Sequence, residues 1–193
     1  VLLQPRDYIN GLQLFVGLGI FFLAVLLASP QVVAPAVNAN LPGDVPSFIP
    51  LLFVTIACGA ISGFHGLVSS GTTSKQLDNE RDVRFVGFLG AAGEGALALA
   101  AIIACTAGFA TLTDWEGFYS SFAAGGLGAF VQGGGTIVSQ GLGLPQHFGE
   151  TLLAVMAVLF AATTMDTGVR LQRYIIQEWG SIYGIHHLTG RYL

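Results

Sequence analysis

Polar side chains are most concentrated in residues 62–75, which interrupt an otherwise apolar run. This stretch combines glycines with eight polar or titratable side chains. Hydroxyls and exposed backbone groups of broken membrane helices hold substrates and ions in transporters. The pattern predicts a substrate-binding segment, with a hydroxyl-capped helix end as the alternative. Its predicted binding residues are His65, Ser69, Ser70, Gly71, Thr72 and Thr73.

His65 is the one histidine of the apolar run 48–70, which contains no acidic residue, lysine or arginine. Its imidazole could relay protons, bind substrate or hydrogen-bond a neighbouring helix. Haem ligation would need paired histidines on facing helices, and only His147 also lies near an apolar run. The two cysteines form no metal motif. The sequence therefore predicts neither cofactor nor metal, and a membrane-embedded redox subunit using His65 is an alternative reading.

Two acidic side chains are candidates for coupling transport to protons or cations. Glu94 lies well inside a long apolar run, between two glycines. A carboxylate buried there costs several kcal/mol unless it is protonated or paired, as a proton site would allow. A structural hydrogen bond from the protonated group is the alternative. Asp166 precedes Arg170 by four residues, which suits an intrahelical ion pair, so its coupling role competes with a structural salt bridge.

These residues sit in a chain of 193 residues of which 53% are hydrophobic and 9% charged. A soluble domain carries about 25% charged residues. The scarcity of charge excludes an ordinary cytosolic enzyme, a nucleic-acid binder and a disordered chain. What remains is a polytopic protein whose first partner is the lipid bilayer. The 27 glycines suit closely packed membrane helices.

Apolar runs of the length needed to cross a bilayer predict a single all-α transmembrane domain. None shows the two-residue alternation of a barrel strand. The four predicted spans are 8–29, 48–70, 84–112 and 147–169, with the second interrupted. Past the last span, apolar and aromatic residues continue at helical spacing up to Trp179 and predict that the helix emerges at the interface.

The basic residues predict the orientation of these spans. One lies before the first span, three in 75–84 and three after the fourth, with none in the other two connections. Under the positive-inside rule, 71–83 and 170–193 are cytoplasmic, and 30–47 and 113–146 are outer loops.

The two outer connections differ in composition. Residues 30–50 contain five prolines, which predicts an extended loop. Residues 118–144 are weakly apolar and rich in glycine, so a re-entrant segment and a glycine-rich loop are both open. The chain begins with an apolar Val-Leu-Leu and is interpreted as an internal portion of a longer protein.

The connection 75–84 mixes three basic and three acidic residues. It is interpreted as a solvated cytoplasmic loop. Since the sequence has no Walker motif, it does not support ATP-driven transport.

Three motifs in order resemble the carbon starvation protein A (CstA) family. Residues 56–65 followed by Ser-Ser-Gly-Thr-Thr at 69–73 are similar to the family signature. Residues 3–8 and 163–170, with the polar residues up to 178, resemble two further motifs. The sequence departs from the pattern at Ser74, where proline is expected, and around 125–143.

The resemblance implies a multi-pass transporter of the bacterial inner membrane linked to carbon starvation. It implies uptake of peptides or pyruvate by a fold of inverted repeats with broken helices. Together with the isolated carboxylate of Glu94, it leads us to expect a secondary, proton-coupled symporter and no enzyme. Its partners would be the small-molecule substrate, protons and the rest of its own chain, and no nucleic acid. A non-transporting membrane sensor or scaffold in the starvation response is the alternative.

Overall fold

The computed structural model describes residues 3–38, 43–61, 63–121 and 126–185, which form helices and connections without a β-strand. The predicted all-α class is therefore confirmed. In chain order, the elements are α1 (Leu3–Ala28), α2 (Phe48–Ile61), α3 (Gly63–Val68), a π-helical segment (Ser69–Thr73), α4 (Ser74–Gln76), α5 (Asp82–Ala107), α6 (Leu112–Phe118), α7 (Leu127–Leu142) and α8 (Gln146–Ile182). Ser62 and residues 186–193 of the predicted cytoplasmic tail lie outside the described residues.

Three helices are long and apolar enough to cross a membrane: Tyr8–Ala28, Asp82–Ala107 and Gln146–Ile182. The apolar helix Phe48–Gly59 is shorter. At 37 residues, α8 confirms the predicted continuation of the last helix past residue 169. A span needs about 20 residues, so the chain has the helices of a membrane protein.

The chain divides into two compact units. Unit 1 comprises Val1–Pro46 and Phe88–Phe160, and unit 2 comprises Ser47–Gly87 and Ala161–Leu193. The predicted binding residues and Asp166 belong to unit 2, whereas Glu94 belongs to unit 1.

Helix α1 ends where its sequence stops supporting a helix. Ser29 adopts a positive φ of 43°, and its N–H donates to the Val25 carbonyl at 2.9 Å. Pro30 follows, and proline cannot continue a helix. The apolar run therefore ends in a left-handed cap followed by the proline-containing connection.

Glycines bring the backbones of unit 1 into contact around α7. A Cβ on Gly133 would collide with the carbonyl oxygen of Ala104, and one on Gly135 would lie 2.7 Å from the Glu150 nitrogen. Small residues permit this approach, which drives helix association in membranes. The buried apolar core formed here is Leu18, Phe21, Ala24, Ala100, Ala104, Ile137, Val138, Leu153 and Met156.

The predicted outer connection 113–146 thus contains two helices, α6 and α7. Where the sequence left a re-entrant segment and a glycine-rich loop open, the structure has a helix of 16 residues, one face of which is buried within unit 1. Its glycines serve close packing instead of loop conformations. At 1.5 Å per residue, α7 measures about 24 Å, which is shorter than the hydrocarbon core of a bilayer.

Aromatic side chains from α6 and the residue after it pack near the C-terminal end of α5. The indole N–H of Trp115 donates to the Cys105 carbonyl at 3.1 Å, and its ring lies 4.7 Å from that of Tyr119. Burial, and secondarily the Cys105 thiol, raises the pKa of Tyr119 above its usual value. The phenol therefore stays protonated and neutral at physiological pH.

Candidate functional site

The predicted interruption of the second apolar run is a change of helix type. Between α3 and α4 the chain winds as a π-helix over Ser69–Thr73, and the Ser74 N–H donates to the carbonyls of Ser69 and Thr72. Short π-helical turns occur frequently at functional sites, because they redirect side chains within a continuous helix. The turn coincides with the hydroxyl-rich residues singled out from the sequence.

Three serine hydroxyls in this region donate to carbonyls of the preceding turn. Ser69 and Ser70 both donate to the Gly66 carbonyl at 2.9 Å, and Ser74 donates to the Ser70 carbonyl at 2.5 Å. Such back-bonding uses the hydroxyl proton but leaves oxygen lone pairs available. These serines can therefore still accept a hydrogen bond from a ligand.

Thr72 carries the buried hydroxyl of this segment. Its side chain is 6% exposed, and its Oγ1 has no hydrogen-bond partner among the described residues. An unsatisfied buried polar group costs about 1–3 kcal/mol, so such a group calls for an explanation. A hydroxyl that pairs only with a bound substrate or ion would provide one.

Contacts with α8 hold the π-helical segment in place within unit 2. A Cβ on Gly71 would lie 3.3 Å from the Leu171 side chain, so a helix packs directly over this glycine. One turn further along, the Lys75 ammonium lies 5.1 Å above the Tyr174 ring centre in a cation–π contact.

Asp166 lies on the same stretch of α8, where its carboxylate accepts from Arg170 at 2.9 Å. The predicted ion pair is therefore confirmed. The two side chains are 19% and 33% exposed, which screens the pair only in part.

His65 and Glu94 are both exposed on the surface of the described chain. His65 lies in α3 and belongs to unit 2 with the hydroxyl segment. Glu94 lies midway along α5, and no described residue forms a hydrogen bond or ion pair with its carboxylate. Its surroundings on α5 are glycines with open space beside them.

Sequence reasoning missed a pocket beside the π-helical segment. The pocket measures about 380 Å³ and lies within unit 2. Its lining residues are Ser69, Thr73, Ser74, Leu77, Asp78, Asn79, Glu80, Val83, Val86 and Gly87. One feature of the sequence does point to this pocket: the acidic residues Asp78 and Glu80 follow the hydroxyl residues within a few positions.

The described histidine, cysteine and acidic side chains do not form a metal site. Within the described ranges no three of these residues cluster. Cys58 and Cys105 are free thiols. The candidate site is thus made of hydroxyls, backbone groups and carboxylates, which are groups able to form hydrogen bonds and charge contacts with a polar organic ligand.

Comparisons with known proteins agree on one family. The family model described as carbon starvation protein CstA matches residues 1–114. The chain is 30% identical over 227 residues to the peptide transporter CstA of Helicobacter pylori, covering 94% of this chain and 33% of that protein. The peptide transporter CstA of Bacillus subtilis is 30% identical over 217 residues, covering 95% and 36%.

The chain is also similar, over a shorter stretch, to a transporter whose name gives another substrate. The pyruvate/proton symporter BtsT of Escherichia coli is 40% identical over 113 residues, covering 55% of this chain and 15% of that protein. No solved structure matches. The chain spans about a third of the length of the two CstA relatives that it matches along almost all of its own length.

Proposed function

The chain belongs to the carbon starvation protein CstA family, and on this premise we propose that it forms part of a secondary transporter that takes up peptides or pyruvate together with protons. The names of the relatives, two peptide transporters and a pyruvate/proton symporter, support this activity. Three helices of membrane-spanning length fit a multi-pass protein, and we place it in the bacterial inner membrane. Transport, and no enzymatic reaction, is the proposed role.

One observation supports a substrate-binding role for particular residues: a buried hydroxyl in the π-helical segment has no described hydrogen-bond partner. We propose that Thr72 binds substrate together with His65 and the segment Ser69–Thr73, which includes Ser70, Gly71 and Thr73. The glycine lets the backbone approach a neighbouring group closely, and the serine oxygens keep lone pairs free. This donor set suits the amide and carboxylate groups that peptides and pyruvate share.

Glu94 and Asp166 are the proposed coupling groups. Glu94 lies on an apolar helix and has no described partner, so a proton would neutralise it where a charge is costly. Asp166 already pairs with Arg170, and protonation would release that pair. Each carboxylate could thus change state with one proton during the transport cycle.

Replacing Thr72 with valine tests the binding role. The variant keeps the side-chain shape and removes an unpaired buried hydroxyl, so we expect unchanged or higher thermal stability. Uptake should fall about tenfold if that hydroxyl contributes one hydrogen bond to the bound substrate, since 1.4 kcal/mol corresponds to a factor of ten. The measurement is uptake of labelled dialanine and pyruvate by the full-length protein in proteoliposomes under a proton gradient.

Thr55→Val is the matched control. Thr55 is exposed on α2, and its hydroxyl donates to the Leu51 carbonyl at 2.8 Å, so uptake should be unchanged. Normal uptake by Thr72→Val would contradict the binding role. Absence of gradient-driven uptake of either substrate by the wild-type protein would instead contradict transport and favour the sensor or scaffold.

A further inference from the structure

The pocket beside the π-helical segment has an uneven charge. Asp78 and Glu80 line it, whereas Lys75, Arg81 and Arg84 do not. Neither lining carboxylate forms a hydrogen bond or an ion pair with a described residue. The nearest lysine along the chain is instead engaged with the Tyr174 ring. The pocket therefore carries two acidic groups that form no ion pair with a described cation.

The rest of the lining suits an organic molecule better than a bare ion. Leu77, Val83 and Val86 supply an apolar wall, and the lining also includes Ser69 and Thr73 of the π-helical segment. A volume of about 380 Å³ lies within the ~300–1,000 Å³ of small-molecule sites. Apolar walls with a few polar groups are the usual composition of such sites.

Two of the hydroxyl-bearing lining residues, Ser69 and Thr73, belong to the proposed substrate segment. Thr72, with its unpartnered buried hydroxyl, lies between them in sequence. The pocket is therefore continuous with the segment that the transport proposal uses. Asp78 and Glu80, in a loop interpreted from the sequence as solvated, line the same pocket.

From this geometry we infer that the pocket binds the protonated amino group of a peptide, with Asp78 and Glu80 facing the ammonium and the apolar wall facing the peptide's hydrocarbon part. The inference rests on the proposed transport function and deepens it, because it assigns a substrate class to this subsite. Pyruvate carries a carboxylate and no amine, so the two acidic side chains repel it. The basic residues of this connection predict that the pocket opens toward the cytoplasm, at the end where an imported peptide leaves.

The test compares two ligands that differ in the amine alone. Labelled dialanine is bound to the purified full-length protein in detergent, where both faces are accessible, and is displaced by unlabelled dialanine or by lactoyl-alanine. The latter replaces the ammonium with a hydroxyl. We expect dialanine to compete about tenfold better, the scale of one charge–charge contact near a protein surface. In the double variant Asp78→Asn/Glu80→Gln, this preference should fall to about twofold or less.

Asp82→Asn is the matched control, because it removes one acidic charge from the same connection at a residue outside the pocket lining. It should retain the tenfold preference. An equal loss in Asp82→Asn would overturn the inference, since general charge would then explain the effect. A wild-type protein that does not distinguish the two ligands would overturn it as well, as would a double variant that keeps the preference.

Uptake into proteoliposomes separates this inference from the transport proposal. Gradient-driven uptake of pyruvate but not dialanine would overturn the ammonium site and leave transport standing. Gradient-driven uptake of dialanine, together with the loss of amine preference in the double variant, would support both. The wild-type uptake assay alone decides whether the protein transports.

Discussion

The two units of the chain bury different kinds of side chain. Every buried hydrophobic residue among those described lies in unit 1, whereas the buried polar side chain, Thr72, lies in unit 2. Unit 1 is held by backbones in contact across glycines, such as Gly133 against Ala104. Unit 2 contains the π-helical turn, the pocket and the cation–π contact.

The close packing of the described chain and its buried polar group thus lie in different units. Close-packed interiors transmit strain and resist rearrangement, and few buried apolar contacts mark regions that open at lower cost. A transporter needs a fixed part against which a substrate-binding part can move. On the proposed transport function, we therefore expect unit 1, with its close packing, to contribute to the fixed part and unit 2, with its polar groups, to the binding part.

Glu94→Gln tests this division between the units most directly, because Glu94 is a proposed proton-coupling residue that lies in unit 1. We expect proton-driven accumulation to collapse to the equilibrated level, since glutamine cannot exchange the coupling proton. Thermal stability should be unchanged, because the carboxylate is exposed and has no described partner. The measurement is uptake by the full-length protein across a range of pH.

Glu116→Gln provides the control for Glu94→Gln, as an exposed carboxylate of the same unit on α6. It should transport normally. Normal uptake with an unchanged pH profile in Glu94→Gln would contradict its coupling role, and unit 1 would then be scaffold alone.

Gly133→Ala tests the packing side of the comparison. The added methyl group would collide with the Ala104 carbonyl, and backbone has no alternative rotamer. Overpacking of this kind costs about 1–3 kcal/mol, and contact with backbone favours the upper end. The measurement is thermal unfolding of the full-length protein in detergent.

Gly19→Ala is the paired control in α1, where a methyl group would meet nothing within 4 Å. Since alanine favours a helix over glycine by about 1 kcal/mol, this variant should be as stable as the parent or more so. Equal stability of both variants would show that the glycine contacts of α7 do not hold unit 1 together.

Much of the helical framework follows from hydropathy and spacing. The apolar run 84–112 predicts a helix that the structure has at Asp82–Ala107. Its predicted end is five residues late, because hydropathy continues through Gly108 while the helix does not. The Asp166–Arg170 pair follows from spacing alone, since residues four apart share one helix face.

Helix α7 and the pocket could not be predicted in the same way. The glycines that make 127–142 look like a loop are those that pack against neighbouring backbones, and sequence does not show which backbones approach. In the sequence, Asp78 and Glu80 look like part of a solvated charge run. Only the structure shows that they line the same pocket as Ser69 and Thr73. Both features depend on contacts between elements, which hydropathy does not encode.

Gly71→Ala repeats the glycine test in unit 2, where we expect a smaller effect. Its methyl group would lie 3.3 Å from the end of the flexible Leu171 side chain, which can move aside. The strain should be offset by alanine's higher helix propensity, so the net change in stability should be below about 1 kcal/mol. A loss as large as that of Gly133→Ala, measured by thermal unfolding, would show that the two units are packed alike.

Asp166→Asn should produce the smallest change in stability. An i, i+4 ion pair contributes about 0.3–0.5 kcal/mol, and partial exposure screens it further. A purely structural pair predicts that Asp166→Asn and Arg170→Gln behave alike, each slightly less stable and each with the parent pH profile of uptake. A coupling role predicts that the two variants change that profile in different ways, because Asp166→Asn removes the proposed proton carrier whereas Arg170→Gln removes the cation that favours its charged form. Parallel profiles would therefore assign Asp166 to the framework of α8 and leave Glu94 as the proposed proton carrier.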